Sequence, residues 1–187
     1  DVINYQPVDT ISYAATILSN IVTSLKEQKS NGYELPKILI IIDSLGNLST
    51  RKEMDDAFTG SEKKDMTRAS EIKRLFRIII NRCGVLKIPV VITNHTYKEV
   101  GSFISKDVVS GGGGSEYNPS INLLLSKAQL KEDNVNKTGI IVTSKVHKSR
   151  FTKEIPIKFH ISFYKGMNPY VGLHKFVSWD ICGVGPG

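Results

Sequence analysis

The sequence predicts an α/β fold with a parallel core and an antiparallel edge. Two observations carry the parallel part. Ile38-Leu39-Ile40-Ile41-Ile42 and Ile88-Pro89-Val90-Val91-Ile92 are short apolar runs, the pattern of strands buried on both faces. Each follows a segment with helical periodicity, and strand–helix–strand with polar turns is a βαβ unit. The third observation carries the edge. Glu154 to Phe163 alternates apolar and polar residues, as a half-exposed strand does. It follows the strand Gly139–Val146 through Lys148-Ser149-Arg150-Phe151, so this pair is antiparallel.

A chain of 187 residues suits one domain with a substantial core. Its 40% hydrophobic and 23% charged content places it among globular domains rather than disordered or fibrous chains. The net charge of +7 favours a polyanionic partner such as nucleic acid. Two cysteines, Cys83 and Cys182, exclude a disulfide framework and a metal knuckle; they fit a reducing cytoplasm as inert packing residues. No apolar run is long enough to span a bilayer, and no membrane partner is expected. The chain opens at Asp1 and reads from its first residues like the inside of a domain, so an upstream portion is expected.

In chain order, Val2 to Tyr5 predicts a short strand ended by Pro7. Asp9 or Thr10 caps a helix whose apolar face is Ile11, Ala14, Ala15, Leu18, Ile21 and Leu25, ended by Ser30-Asn31-Gly32. The first buried strand then runs into Asp43-Ser44. From Leu48 to Met66 the chain is polar and reads as a long loop. Thr67 opens a second helix with Ile72, Leu75, Phe76, Ile79 and Ile80 apolar. Its basic residues Arg68, Lys73, Arg74, Arg77 and Arg82 read as a solvated face, with direct DNA contact as the other reading. The second buried strand ends in Asn94-His95. Thr96 to Pro119 shows little periodicity and carries Gly111-Gly112-Gly113-Gly114. This run suits either a flexible hinge or a mobile loop whose backbone approaches a ligand. Ile121–Leu125 is a further strand. A short helix is expected from Met167 through Trp179, with a frayed end after Gly183.

Three places hold residue types with chemistry. A carboxylate at the carboxyl end of a buried parallel strand sits where open α/β sheets bind ligands, and Asp43 has that place; a solvated Asp-Ser turn is the other reading. His95, at the end of the neighbouring strand, serves either as a hydrogen-bonded strand terminus or as a phosphate sensor. Between Lys145 and Lys158 stand five cations and one acid, Glu154.

The order of these parts resembles the core of RecA-type recombinases, most closely their phage UvsX-like branch. The resembling stretches are Ile42-Asp43-Ser44-Leu45-Gly46-Asn47-Leu48, Asp65-Met66-Thr67-Arg68-Ala69, Leu75-Phe76-Arg77-Ile78, Asn94-His95-Thr96-Tyr97, Phe103-Ile104-Ser105-Lys106, the glycine run, Lys148-Ser149-Arg150 and Asn168-Pro169-Tyr170. Together they extend from residue 1 to about 173, with 174–187 as the start of a C-terminal region or tail. The resemblance implies a RecA-like P-loop ATPase core: a mostly parallel sheet flanked by helices, with an antiparallel edge and its N-terminal strands missing.

It also implies roles. Asp43 would be the Walker B carboxylate that positions magnesium, with Ser44 beside it. Asn94 and His95 would meet the γ-phosphate of ATP. Lys148 and Arg150 would reach the nucleotide of a neighbouring protomer and, with His95, serve catalysis. Residues 49–65 and 96–114 would line the filament axis. There Arg51, Lys52, Lys63, Lys64, Lys98 and Lys106 would meet DNA phosphates, Tyr97 or Phe103 would stack on bases, and Gly111 to Gly114 would approach the strand.

The implied function is an ATP-dependent recombinase forming filaments on single-stranded DNA and pairing it with double-stranded DNA. It would work with mediator and single-strand-binding proteins, in the cytoplasm, or the host cytoplasm if phage-encoded. Two alternatives share the fold: a hexameric replicative-helicase-type motor and a catalytically silent DNA-binding paralogue. One departure stands out. No Gly-x-x-x-x-Gly-Lys-Ser/Thr occurs in the chain, so the phosphate cradle and the family's water-activating carboxylate are expected upstream. On that reading the 187 residues alone bind ATP poorly.

Overall fold

Thr10 starts the first helix, α1 (Ile11–Ser30), by accepting the Tyr13 N–H on its hydroxyl oxygen. The computed structural model describes residues 2–60, 66–98, 107–131 and 136–170, which form two compact units, Asp1–Asn118 and Pro119–Gly187. In the first unit α1 buries Ile11, Ala14, Ala15, Leu18, Val22 and Leu25. Val22 takes the place expected of Ile21, which is 38% exposed. This face packs on α3 (Arg68–Ile78), whose Ile72, Leu75 and Phe76 are buried. A π-helical turn, Ile79–Cys83, extends α3. Leu45 and Leu48 close the cluster. A second cluster joins Val22 and Leu25 to Cys83 and Ile88.

The two apolar runs form β1 (Ile40–Ile42) and β2 (Val90–Ile92), paired in parallel. Their inner residues Ile40, Ile42, Val90 and Ile92 pack on the first cluster. The outer face is not buried as expected: Ile41 is 63% and Val91 49% exposed. The expected strand Val2–Tyr5 is absent. That segment is exposed and unpaired, because an extended run without a ladder partner has nothing to hold it as a strand.

Two stretches expected as loops carry structure. Arg51–Thr59 is a helix, α2, with a capping box: Glu53 N–H donates to the Thr50 hydroxyl and Thr50 N–H to the Glu53 carboxylate. Gly60 ends it at φ 69°. Further on, β3 (Thr96–Lys98) and β4 (Asp107–Val109) pair antiparallel. A short helix, α4 (Gly113–Tyr117), follows and lies on α3.

The second unit is one antiparallel sheet in the order β5 (Ile121–Lys131), β6 (Lys137–Ser149), β7 (Ile157–Ser162), β8 (Gly166–Met167). The antiparallel β6–β7 pair is as predicted. Gly139 is required by packing, since a Cβ there would run into the Ile161 carbonyl oxygen. The helix expected from Met167 begins instead as strand, and its remainder lies outside the described residues, as does the frayed end.

The architecture is therefore mixed α/β, and its sheets are mostly antiparallel rather than mostly parallel. The physical cause is that, among the described residues, the one parallel ladder joins 40–42 to 90–92, beside an isolated parallel bridge between Thr10 and Ser49, while the long 121–131 and 137–149 strands build a meander.

Candidate functional site

The site grows from the register of β1 and β2. Ile42 lies opposite Ile92, so Asp43 and Thr93 emerge together. Thr93 N–H donates to the Ile42 carbonyl at 3.0 Å, and Leu45 N–H to the Thr93 carbonyl at 2.9 Å. The chain thus leaves β1 tied to β2, across an Asp43–Ser44 peptide that is cis. Thr93 Oγ1 donates to Asp43 Oδ1 at 2.6 Å. That is the carboxylate's one bond among the described residues, and Asp43 faces solvent. Ser44 is buried, with its hydroxyl 3.3 Å from His95 Nε2.

The end of β2 is fixed by its own side chains. Asn94 Oδ1 accepts the His95 N–H at 2.9 Å, and Asn94 Nδ2 donates to the Ser110 carbonyl at 2.7 Å. Ser110 N–H donates in turn to the His95 carbonyl at 2.9 Å. The tip of β2 is thereby stapled to the residue just before the glycine run. The sequence places Asp43, Ser44, Asn94 and His95 at two strand ends, and the fold brings all four to one tip.

Behind the tip, residues 45–47 form a 3-10 turn. Gly46 lies against His95: a Cβ at Gly46 would be 2.5 Å from His95 Cδ2 and 3.3 Å from Asn94 Oδ1. Arg68 holds this turn. Its guanidinium donates to the Leu48 carbonyl at 2.6 Å, the Gly46 carbonyl at 2.8 Å and Glu53 Oε2 at 3.0 Å. Arg68 was expected on a solvated face. It is instead drawn inward because three acceptors converge at the start of α3.

The glycine run is a built turn. Gly111 and Gly112 have φ of 93° and 66°, where side-chain-bearing residues are strained. Gly113 and Gly114 begin α4, and a Cβ on Gly114 would sit 3.0 Å from Lys73 Cγ. The absence of side chains lets α4 close on α3. Between the two helices is an open cleft of about 460 Å³, lined by Lys73, Arg77, Gly113, Gly114, Tyr117 and Asn118. Lys73 and Arg77 are exposed, as expected, yet they share one wall of a concave surface. Sequence reasoning favoured a solvated face for both over direct DNA contact. Their i, i+4 spacing on α3 was the available signal.

The other predicted residues are dispersed. Arg51 and Lys52 occupy the exposed first turn of α2; Tyr97 and Lys98 lie on exposed β3. Lys148 and Arg150 belong to the second unit. There the Ser149 hydroxyl accepts the N–H groups of Phe151 and Thr152 at 3.1 and 3.0 Å. That local turn ends β6 and leaves Arg150 exposed. Lys63, Lys64, Phe103 and Lys106 lie outside the described residues. No group of three or more metal-ligating side chains occurs among the described residues, and no described helix is long and apolar enough to cross a membrane.

The chain is 40% identical over 139 residues to the recombination and repair protein of Enterobacteria phage T4. The alignment covers 73% of this chain and 35% of the phage protein, so the chain spans about a third of that relative. No family model matches the chain.

Proposed function

We propose that this chain is part of a DNA recombination and repair protein, and specifically of a RecA-type ATP-dependent recombinase that forms filaments on single-stranded DNA. One arrangement carries the reading. The paired ends of β1 and β2 present an acid, two hydroxyls, an amide and an imidazole together. They are stapled through Ser110 to a glycine turn that closes a basic, tyrosine-bearing cleft. That arrangement supports reading the tip as a site for a phosphate-bearing nucleotide and the cleft as a surface for a nucleic-acid backbone. The name of the phage T4 relative agrees in its coarser part, recombination and repair.

In this reading Asp43 would hold magnesium, which needs only one or two carboxylates from the protein. The exposed carboxylate, with one protein partner, fits that use. Bound ATP supplies the phosphoryl group that water attacks. Asn94 and His95 donate to its terminal phosphate, and Ser44 orients the His95 ring. Lys148 and Arg150 neutralise charge on the nucleotide of a neighbouring protomer. Lys73, Arg77 and the Gly113–Gly114 backbone meet DNA phosphates, while Tyr117 and Tyr97 offer ring faces to bases. Single- and double-stranded DNA, further copies of the chain and mediator or single-strand-binding proteins are its proposed partners, in the cytoplasm.

The test uses the natural protein at full length. It is mixed with single-stranded DNA and a non-hydrolysable ATP analogue, imaged by electron microscopy, and assayed in parallel for ATP hydrolysis. Open helical filaments with DNA-stimulated hydrolysis are expected. Closed rings would replace the recombinase by a helicase-type motor. DNA binding with neither filaments nor hydrolysis would make the protein a silent paralogue.

A further inference from the structure

We propose that Arg68 is a positioning residue that sets the orientation of His95 by holding the Leu45–Asn47 turn against it. Its geometry stands apart from the reading above; its functional consequence, nucleotide-linked DNA binding, rests on that reading. Arg68 is the first residue of α3, yet two of its three acceptors are carbonyls at Gly46 and Leu48, in the segment that leaves β1. A planar guanidinium can serve several acceptors at once, whereas a lysine ammonium acts as a point donor. The Glu53 pair alone would not explain this placement. Both side chains are partly exposed, at 24% and 35%, and such pairs contribute little. The carbonyl bonds are the specific feature.

What they fix is Gly46. There is no space for a Cβ between Gly46 and the His95 ring, so any shift of the turn is felt at His95 and at its contact with Ser44. The same helix carries Lys73 and Arg77 five and nine residues further on, roughly 7 and 13 Å along the axis. A helix this short behaves as a rigid rod. Displacement of α3 by a strand entering the cleft therefore arrives, through Arg68, at the residue proposed to meet the terminal phosphate. By reciprocity, nucleotide at the tip biases the cleft.

The test compares the wild type with Arg68→Ala, Arg68→Lys and Gly46→Ala in the full-length natural protein. The first readout is the His95 ring Cε1–H and Nε2 resonances at fixed pH without nucleotide or DNA. Both Arg68→Ala and Gly46→Ala should move them, and Arg68→Lys should move them less. The second readout is the Kd for a labelled oligothymidylate with and without ATP and magnesium. Wild type should bind ~10-fold tighter with nucleotide, within the usual range of coupling. Arg68→Ala should reduce that ratio to below ~2, while its Kd without nucleotide stays within ~2-fold because Lys73 and Arg77 are intact. Unmoved His95 resonances in Arg68→Ala overturn the inference; Gly46→Ala is the control that shows the resonances respond to the turn. If Arg68→Ala does not fold, Arg68→Lys decides it: unmoved resonances there overturn the inference. Moved resonances in Arg68→Ala, together with a wild type that shows no nucleotide effect on DNA, uphold the positioning contact and reject the recombinase reading.

Discussion

Replacing Gly111 by alanine tests whether the glycine run is a built turn. Gly111 has φ 93° and Gly32, at the end of α1, has φ 83°. The backbone penalty for alanine is therefore similar at both, about 1–2 kcal/mol. About 0.4–1 kcal/mol is returned by the stiffer unfolded chain. The surroundings differ sharply. Nothing lies within 4 Å of a Cβ at Gly32, whereas one at Gly111 would be 2.6 Å from Ser115 Oγ and 2.8 Å from Ile72 Cδ1. Ile72 is 1% exposed in the core and Ser115 is buried, so neither can swing into solvent. Forcing a methyl into such packing costs a further ~1–3 kcal/mol. Gly32→Ala should then destabilise the first unit by about 0–1.5 kcal/mol and Gly111→Ala by roughly 1–4.5 kcal/mol, a difference of about 1–3 kcal/mol. Urea denaturation followed by circular dichroism measures both. Gly111→Ala should also weaken binding of single-stranded DNA, because α4 forms one wall of the cleft, while Gly32→Ala should not. Equal losses of stability in the two variants, within about 0.5 kcal/mol, would refute the packing argument.

Other consequences are equally direct. Lys73→Ala and Arg77→Ala should each lower the slope of log affinity against log salt by about 0.7 for single-stranded DNA; an unchanged slope removes that residue from the interface. In the full-length protein, Lys148→Ala and Arg150→Ala should each reduce ATP hydrolysis by ~10²-fold or more with folding intact, and near-normal turnover would sink the contact proposed for them. Burial pushes the Cys83 thiol above its ordinary value of 9.0. The folded protein therefore keeps this proton longer than the unfolded chain, and stability falls as pH rises past that value. Cys83→Ala should flatten this part of the stability–pH curve, and Cys83 should react slowly with iodoacetamide.

What the sequence made legible was whatever rested on a strong apolar pattern. β1, β2, α1 and α3 follow directly from their runs and periodicities, and the β6–β7 hairpin from alternation. With them came the strand-end residues Asp43, Ser44, Asn94 and His95. α2 was hidden because it buries no residue and so has no apolar stripe to find. Its signature was local: Thr50 and Glu53 at capping-box spacing, then Gly60 past the end. β3 and β4 are three residues each, too short for periodicity to register. Val2–Tyr5 failed in the opposite direction, since a strand-like composition supplies no hydrogen-bonding partner. The role of Arg68 was illegible for a third reason. Nothing in a basic helix face marks a cation whose carbonyl acceptors lie some twenty residues away.

The stapling of Ser110 to Asn94 and His95 bears on how this chain can change over time. The antiparallel pair Thr96–Lys98 with Asp107–Val109, closed by these bonds, fixes both ends of the intervening stretch whatever that stretch contains. Doubling the length of such a connection costs only about 0.6 kcal/mol in closure entropy. Insertions and deletions between Lys98 and Asp107 are thus nearly neutral for the tip that carries Asp43 and His95. A protein built this way can vary the length of that connection, or accept a reporter peptide in it, while the register of β1 and β2 stays untouched.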